Sequence, residues 1–271
     1  MPVVLVLAGH DPTGGAGLVA DAEAVAAGGG WAVTVPTALT VQSCSDVSKV
    51  RPADPEIMRA SVAALEEFEV AAVKLGLIAD LATLDAIGDI LEAFPGVPVV
   101  ADPVLSAGGG KELSTIELID AYRRRLLPRV DVLTPNRGEL ARLSPGLLQD
   151  TERAVALMQR GCQAVLVTGT DDPVAGAPAD RVTHTLHATD QSRQWNWPRL
   201  AGRFHGSGCT MAAFLAARLA VGESLVAACE QAQAFTWDTL AHGWHPGEGQ
   251  ALPRRLWRLS AVPGPEPSAP L

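Results

Sequence analysis

Val3-Val4-Leu5-Val6-Leu7-Ala8-Gly9-His10-Asp11-Pro12-Thr13-Gly14-Gly15-Ala16-Gly17 is the stretch on which the fold turns. It opens with a short, β-branched apolar run, passes through a Pro/Gly-rich loop and leads into an alanine-rich stretch over 15–28. An apolar run of this length suits a strand covered on both faces, and small residues suit the turn into a helix. The unit recurs: Ala32 to Pro36 precedes 55–67, Ala71 to Leu75 precedes 80–93, and Val97 to Ala101 precedes 114–126. Val130 to Leu133 and Ala164 to Val167 add strands, with helix signals from 136 and 151. This rhythm predicts an α/β fold in three layers, a mostly parallel central sheet flanked by helices on both faces. Arg181 to Trp197 alternates polar and apolar residues, which predicts an antiparallel excursion at a sheet edge. Two helices, over 208–221 and 223–242, close the chain.

Composition sets the bounds. With 271 residues, 48% hydrophobic and 19% charged, the chain can bury a sizeable core, and nothing divides it, so a single domain over 1–260 is expected. Residues 261–271 are too Pro-rich to pair or coil and read as a flexible tail. A net charge of −9 without a basic cluster offers nucleic acid or an anionic membrane no electrostatic footing, which leaves a small molecule as the expected partner. Arg123-Arg124-Arg125 reads as a solvated helix face. Cys44, Cys162, Cys209 and Cys229 are too scattered for a disulfide framework or a zinc site. No basic leader precedes the first strand, and no apolar run reaches the roughly 18 residues of a membrane span. A cytoplasmic protein is therefore expected.

In open parallel sheets the chemistry sits beyond the carboxyl ends of the strands. Polar and Gly/Pro groups follow strand after strand here. Asp11 to Gly17 lacks a Walker A lysine and a clear dinucleotide fingerprint; its glycines allow a planar ligand to approach the backbone, or form a tight turn in which Asp11 caps the helix. Gln42 presents an amide, donor beside acceptor, that matches an aminopyrimidine edge, or is merely solvated. Asp102, before Pro103, is a charge near a metal or a turn former. Asn136 and Glu139, three apart at a helix start, suit either a hydrated Mg²⁺ or a capping box. Gly206-Ser207-Gly208-Cys209 opens an apolar helix, so backbone N–H groups and the helix dipole can hold an anion beside a thiol; the plainer alternative is a small-residue turn with a cysteine. His205 is a potential phosphate donor or incidental.

Taken in order, these motifs resemble the hydroxymethylpyrimidine/phosphomethylpyrimidine kinase family of thiamine biosynthesis, within the ribokinase-like superfamily. They are His10-Asp11-Pro12-Thr13-Gly14-Gly15-Ala16-Gly17 with Asp21, Thr37 to Gln42, Lys74-Leu75-Gly76-Leu77, Asp102-Pro103-Val104, Asn136 with Glu139, and His205 to Thr210. Sugar kinases of the superfamily carry Asp where Cys209 stands. The resemblance implies ATP-dependent phosphorylation of the pyrimidine's hydroxymethyl group and then of the monophosphate, with Mg²⁺ and a homodimer; the edge around 31–50 is the candidate interface. It implies that Gly9, Asp11, Ala16, Asp21, Gln42, Leu77 and Val104 form the pyrimidine pocket, Leu77 replacing a methionine often found there. Asp102, Asn136, Glu139, Thr168 and Gly169 would serve ATP and its phosphates, Glu139 and Asp102 the metal. Gly206, Ser207 and Gly208 would form the anion hole, and Cys209, its pKa lowered at the helix N-terminus, would accept the alcohol proton. Pyridoxal or pyridoxamine kinase activity, or pyrimidine binding with weak transfer, are the alternatives. One departure stands out: relatives often have Lys-Gly-Gly after the strand at 164–167, where this chain has Thr168-Gly169-Thr170 and then Asp171-Asp172. ATP binding with altered phosphate contacts is expected, and Lys111, in a glycine-rich lid, is a candidate to compensate.

Overall fold

Burial of β1 (Val3–His10) sets the architecture, for all six of its interior residues are sequestered from solvent. Leu5 and Leu7 point into one core and Val4, Val6 and Ala8 into another, the period-two alternation of a strand between two helical layers. The computed structural model describes residues 1–107, 110–169 and 180–261; Asp171-Asp172 and the Pro-rich segment from 262 lie outside the described residues.

After β1 come α1 (Gly17–Ala27), β2 (Trp31–Gln42), β3 (Val47–Pro52), α2 (Pro55–Ala63), β4 (Val70–Leu75), α3 (Leu81–Glu92), β5 (Val99–Ala101) and α4 (Ile116–Ala121). Then follow β6 (Val132–Leu133), α5 (Arg137–Leu143), α6 (Asp150–Met158), β7 (Ala164–Val167), β8 (Arg181–Ala188), β9 (Gln191–Pro198), α7 (Ser207–Ala220) and α8 (Leu225–Ala241). The nine strands form one sheet in the order β3-β2-β1-β4-β5-β6-β7-β8-β9. Pairing is parallel from β2 through β7, whereas β3 at one edge and β8 and β9 at the other run antiparallel. Met58 of α2 and the apolar faces of α3 to α6 fill one core; α1, α7 and α8 fill the other. The strand order reverses between β1 and β4, which opens a crevice between their carboxyl ends.

Side-chain caps start α2, α3 and α8: Asp54 and Asp80 accept the Glu56 and Thr83 N–H groups at 2.8 Å, and Ser224 accepts the Ala227 N–H. Two local features depart from the sequence reading. β2 runs on to Gln42 and turns back through β3, an antiparallel partner absent from the predicted pattern. The helix expected over 114–126 is α-helical only to Ala121 and ends in a π-helical turn over Tyr122–Leu126, just ahead of Pro128, whose ring and missing N–H do not allow a helix interior.

Candidate active site

A cavity of about 720 Å³ lies at the crevice. Gly9 and Ala16 from the β1 end, Gln42 from the β2 end, Leu77 after β4 and Val104 after β5 wall one side of it. Gln42 is oriented by its own donor, Nε2 giving a 2.7 Å hydrogen bond to Thr40 Oγ1. Thr37 Oγ1 donates to the Leu77 carbonyl at 2.5 Å, which fixes the loop that carries the Leu77 side chain under Gly9.

Asp11 sits at the cavity margin but its oxygens are engaged by the protein. They accept from Thr13 N–H and Ala16 N–H at 2.9 Å, and from His205 Nε2 at 2.7 Å. Burial alone would raise the carboxyl; the His205 bond and the backbone donors outweigh it and hold Asp11 below the usual range. Asp11 is thus the anchor of the glycine-rich loop, and His205, read from the sequence as either a phosphate donor or incidental, is turned onto that anchor. The N-cap of α1 is Ala16, not Asp11.

Gly206 caps α7 in the left-handed region, φ +83, and a Cβ there would lie 1.9 Å from the Gly15 carbonyl oxygen. Only glycine permits this contact, which seats the turn directly on the loop. Behind it run 14 helical residues, so the Ser207, Gly208 and Cys209 N–H groups have no intrahelical partner and edge the cavity with positive dipole.

A buried charge cluster backs this turn. Lys74 and Asp21 are both 0% exposed and form an ion pair, Nζ to Oδ2 2.7 Å. Asp21, which the resemblance placed in the pyrimidine pocket, does not line the cavity but stands behind it, and its Oδ1 has no partner. Burial pushes its carboxyl up to about 6 against the pull of Lys74. Lys74, despite burial, is held an ammonium by Asp21 and, further off, Asp102. Asp102 faces α7, both its oxygens 3.6 Å from where a Gly208 Cβ would be, and lies beside Cys209. Burial raises Asp102 as well, with Lys74 and Cys209 opposing. The expectation of a lowered thiol pKa fails. Burial pushes Cys209 well above the ordinary thiol range, and the two carboxylates add to it, outweighing Lys74 and the Gly17 N–H.

On the opposite wall, Asn136 and Glu139 form a capping box: Asn136 Oδ1 accepts the Glu139 N–H at 2.8 Å, and Glu139 Oε2 the Asn136 N–H at 2.9 Å. Both still line the cavity, as does Thr168, whose N–H donates to the Pro135 carbonyl at 2.9 Å. Gly169 does not line it; its N–H donates to His184 Nδ1, and a Cβ would meet the Thr183 oxygen at 2.1 Å, so this glycine serves the approach of β8. Lys111 is not aimed at a phosphate: Nζ donates to the Val47 and Ser48 carbonyls of β3, at 2.7 and 3.0 Å.

Residues 11–254 match the profile of the phosphomethylpyrimidine kinase family. The chain belongs to that family. It is 30% identical over 268 residues to the hydroxymethylpyrimidine/phosphomethylpyrimidine kinase of Haemophilus influenzae, covering 96% of this chain and 98% of the relative. With the kinase of the same name from Streptomyces coelicolor it shares 33% over 270 residues, 95% of this chain and 96% of that one. In fold it is ribokinase-like: the Bacillus subtilis pyridoxal kinase solved as an ADP complex superimposes with a TM-score of 0.84 at 24% identity, covering 96% of this chain and 99% of that one.

Two parts of this kinase's site escaped the sequence reading. Lys74 stood inside a motif, and its signal was a lone cation in the apolar run Val70 to Leu75, but nothing local tells that Asp21 meets it. The far end of the cavity is built from Gln233, Thr236 and Trp237 of α8, near Trp197, which read as ordinary amphipathic helix and edge strand.

Proposed function

We propose that this kinase transfers the γ-phosphoryl group of ATP to the hydroxymethyl oxygen of 4-amino-5-hydroxymethyl-2-methylpyrimidine, and then phosphorylates the monophosphate, in thiamine biosynthesis. The observation that carries the reading is the meeting in one cavity of the α7 N-terminus, the Cys209–Asp102 pair and an acceptor wall of Gly9, Ala16, Gln42, Leu77 and Val104. The pyrimidine would lie on that wall with its amino edge at Gln42. The nucleotide would fill the far end, its base against α8 and its phosphates running toward Ser207-Gly208 along Asn136 and Thr168.

Transfer forms a bond from the acceptor oxygen to phosphorus and breaks the bond from phosphorus to ADP. The charge that spreads over the equatorial oxygens meets the backbone N–H groups of Ser207, Gly208 and Cys209. Because Cys209 rests as a thiol beside the Asp102 carboxylate, the hydroxyl proton would pass to Cys209 Sγ as the thiol's own proton moves to Asp102. A loose transition state asks little of such a relay. Mg²⁺ fits the cavity, since Glu139 supplies a carboxylate beside the phosphate path, Asp102 adds negative charge near it without being a ligand, and a hydrated cation of this kind takes few protein ligands. Bound there, it would neutralise phosphate charge.

We also read the protein as a cytoplasmic homodimer. No helix among the described residues is long and apolar enough to cross a membrane. The β2–β3 ribbon leaves Leu39 and Val41 more than half exposed. A second substrate reading, pyridoxal, is favoured by the fold shared with the Bacillus subtilis pyridoxal kinase. An ADP-release assay with the pyrimidine, its monophosphate and pyridoxal decides. Turnover of the first two with pyridoxal far behind is expected; pyridoxal as the best substrate, or tight pyrimidine binding without turnover, would overturn the reading.

A further inference from the structure

The C-terminal segment returns across the site as a strap. Gln250 N–H donates to the Cys44 carbonyl, Ala251 N–H to Arg203, and Arg254 N–H to Thr239, while the Ala251 carbonyl accepts the His205 N–H at 2.9 Å. Leu252 lies over Gly15, where an added Cβ would stand 2.6 Å from its side chain. At the end of the strap Arg255, 4% exposed, inserts its guanidinium between the glycine-rich loop and α7. Nε donates to Thr210 Oγ1 at 2.8 Å; Nη1 reaches the Gly14 carbonyl and Glu23 Oε2, each at 3.2 Å; Nη2 donates to the Gly15 carbonyl. Thr210 Oγ1 in turn donates to the Gly206 carbonyl at 2.8 Å. One planar fork therefore joins the loop that shapes the acceptor pocket to the residue that holds the anion-binding turn. Arg255 lies one residue beyond the stretch that matches the family profile.

We propose that Arg255 is a positioning residue for phosphoryl transfer: its guanidinium locks the Gly14-Gly15 carbonyls to Thr210 of α7 and so fixes the spacing between the acceptor pocket and the anion-binding turn. Three features support this. The Gly15 carbonyl is also the group against which Gly206 is packed, so the loop and turn touch at the atom that Arg255 holds. The Thr210 hydroxyl that Arg255 reaches also holds the turn, donating to the Gly206 carbonyl at 2.8 Å. Finally, the acceptors fan out in directions that a five-donor plane satisfies and a compact ammonium does not. Transfer depends on spacing between reacting atoms, and a misplacement of about 1 Å costs on the order of 100-fold in rate. In the proposed placement the nucleotide's base lies against α8, away from this junction, so KM for ATP should change little.

This inference rests on the kinase reading, and its test separates the two. The full-length chain is assayed for ADP release with the pyrimidine alcohol; absence of turnover by the unmodified chain would count against the kinase reading alone. Arg255→Lys and Arg255→Met are then compared with it for kcat, for KM of ATP, and for amide hydrogen exchange followed by mass spectrometry. We expect kcat to fall about 30-fold or more in both with KM for ATP within about threefold, and faster exchange confined to peptides over 11–19 and 203–212. The exchange arm reads out whether or not the chain phosphorylates anything. A kcat within about threefold of the parent in Arg255→Lys would overturn the proposal. So would exchange that rises throughout the sheet, or failure of both variants to fold, either of which makes Arg255 a structural residue only.

Discussion

Cys209 and Lys74 show how one neighbourhood assigns opposite fates to two titratable side chains. The helix N-terminus favours a thiolate at Cys209, but desolvation and the nearby carboxylates of Asp102 and Asp21 win, so the thiol keeps its proton. In the proposed mechanism Cys209 relays the proton toward Asp102, and Cys209→Ala, which breaks that relay, should lower kcat by at least about 100-fold while pyrimidine affinity from calorimetry stays within about threefold. An unchanged kcat would remove Cys209 from the proton path. Lys74 is the converse, an ammonium kept charged in a fully buried place because Asp21 lies 2.7 Å away. Lys74→Met should cost about 3–5 kcal/mol in denaturant unfolding by stranding Asp21, and Lys74→Met with Asp21→Leu should recover part of that loss. A double variant no more stable than the single one would argue that the pair is not energetically coupled.

At the scale of elements, the sequence speaks clearly where burial is two-sided. The uninterrupted Val3 to Leu7 can lie only between two apolar layers, and the residues between its end and α1 had to form the loop that they do form. It speaks faintly for β3, whose Ser48, Lys49 and Arg51 are exposed and whose partner β2 supplies the pairing that defines it. The Asn136–Glu139 pair was legible as to place but not as to duty, since the spacing that caps a helix also puts two polar groups at a cavity wall. β8 carries a pH prediction of its own. His184 is 5% exposed, accepts the Gly169 N–H on Nδ1, and is depressed by burial, and secondarily by Arg137, from 6.5 to about 4. Between those values the unfolded chain binds a proton that the folded chain refuses, so stability rises with pH across this window and falls as pH drops through it. The loss reaches about 3 kcal/mol at the acid end, by 1.36 kcal/mol per unit. Denaturant midpoints of the parent and of His184→Gln measured from pH 7 to 4 should converge toward the acid side; parallel curves would show that His184 does not set this slope.

For the whole molecule, the sheet order that puts the β1 and β4 ends side by side accounts for both what was legible and what was not. Residues directly following strands were bound to converge on the crevice, so Gly9, Leu77, Asp102 and Val104 were readable from the strand pattern. Arg255 and the α8 wall reach the site through the chain's return path, which no local signal encodes. The same order leaves the β2–β3 ribbon at an edge, with Leu39 and Val41 at 54% and 59% exposure and their cross-strand partners Arg51 and Lys49 bordering them. A self-complementary patch of this kind suits a two-fold interface, apolar at its centre and charged at its rim. Because Gln42 follows Val41 into the cavity, pairing of two ribbons would also steady one wall of the acceptor pocket. Val41→Glu, which puts a carboxylate at the centre of the patch, should therefore convert a dimer into a monomer in sedimentation equilibrium and raise KM for the pyrimidine by a few-fold, leaving KM for ATP about unchanged. Sedimentation of the parent chain as a monomer would dispose of the interface. A monomeric Val41→Glu chain with parental KM for the pyrimidine would instead show that the ribbon holds Gln42 in place without help from a second copy.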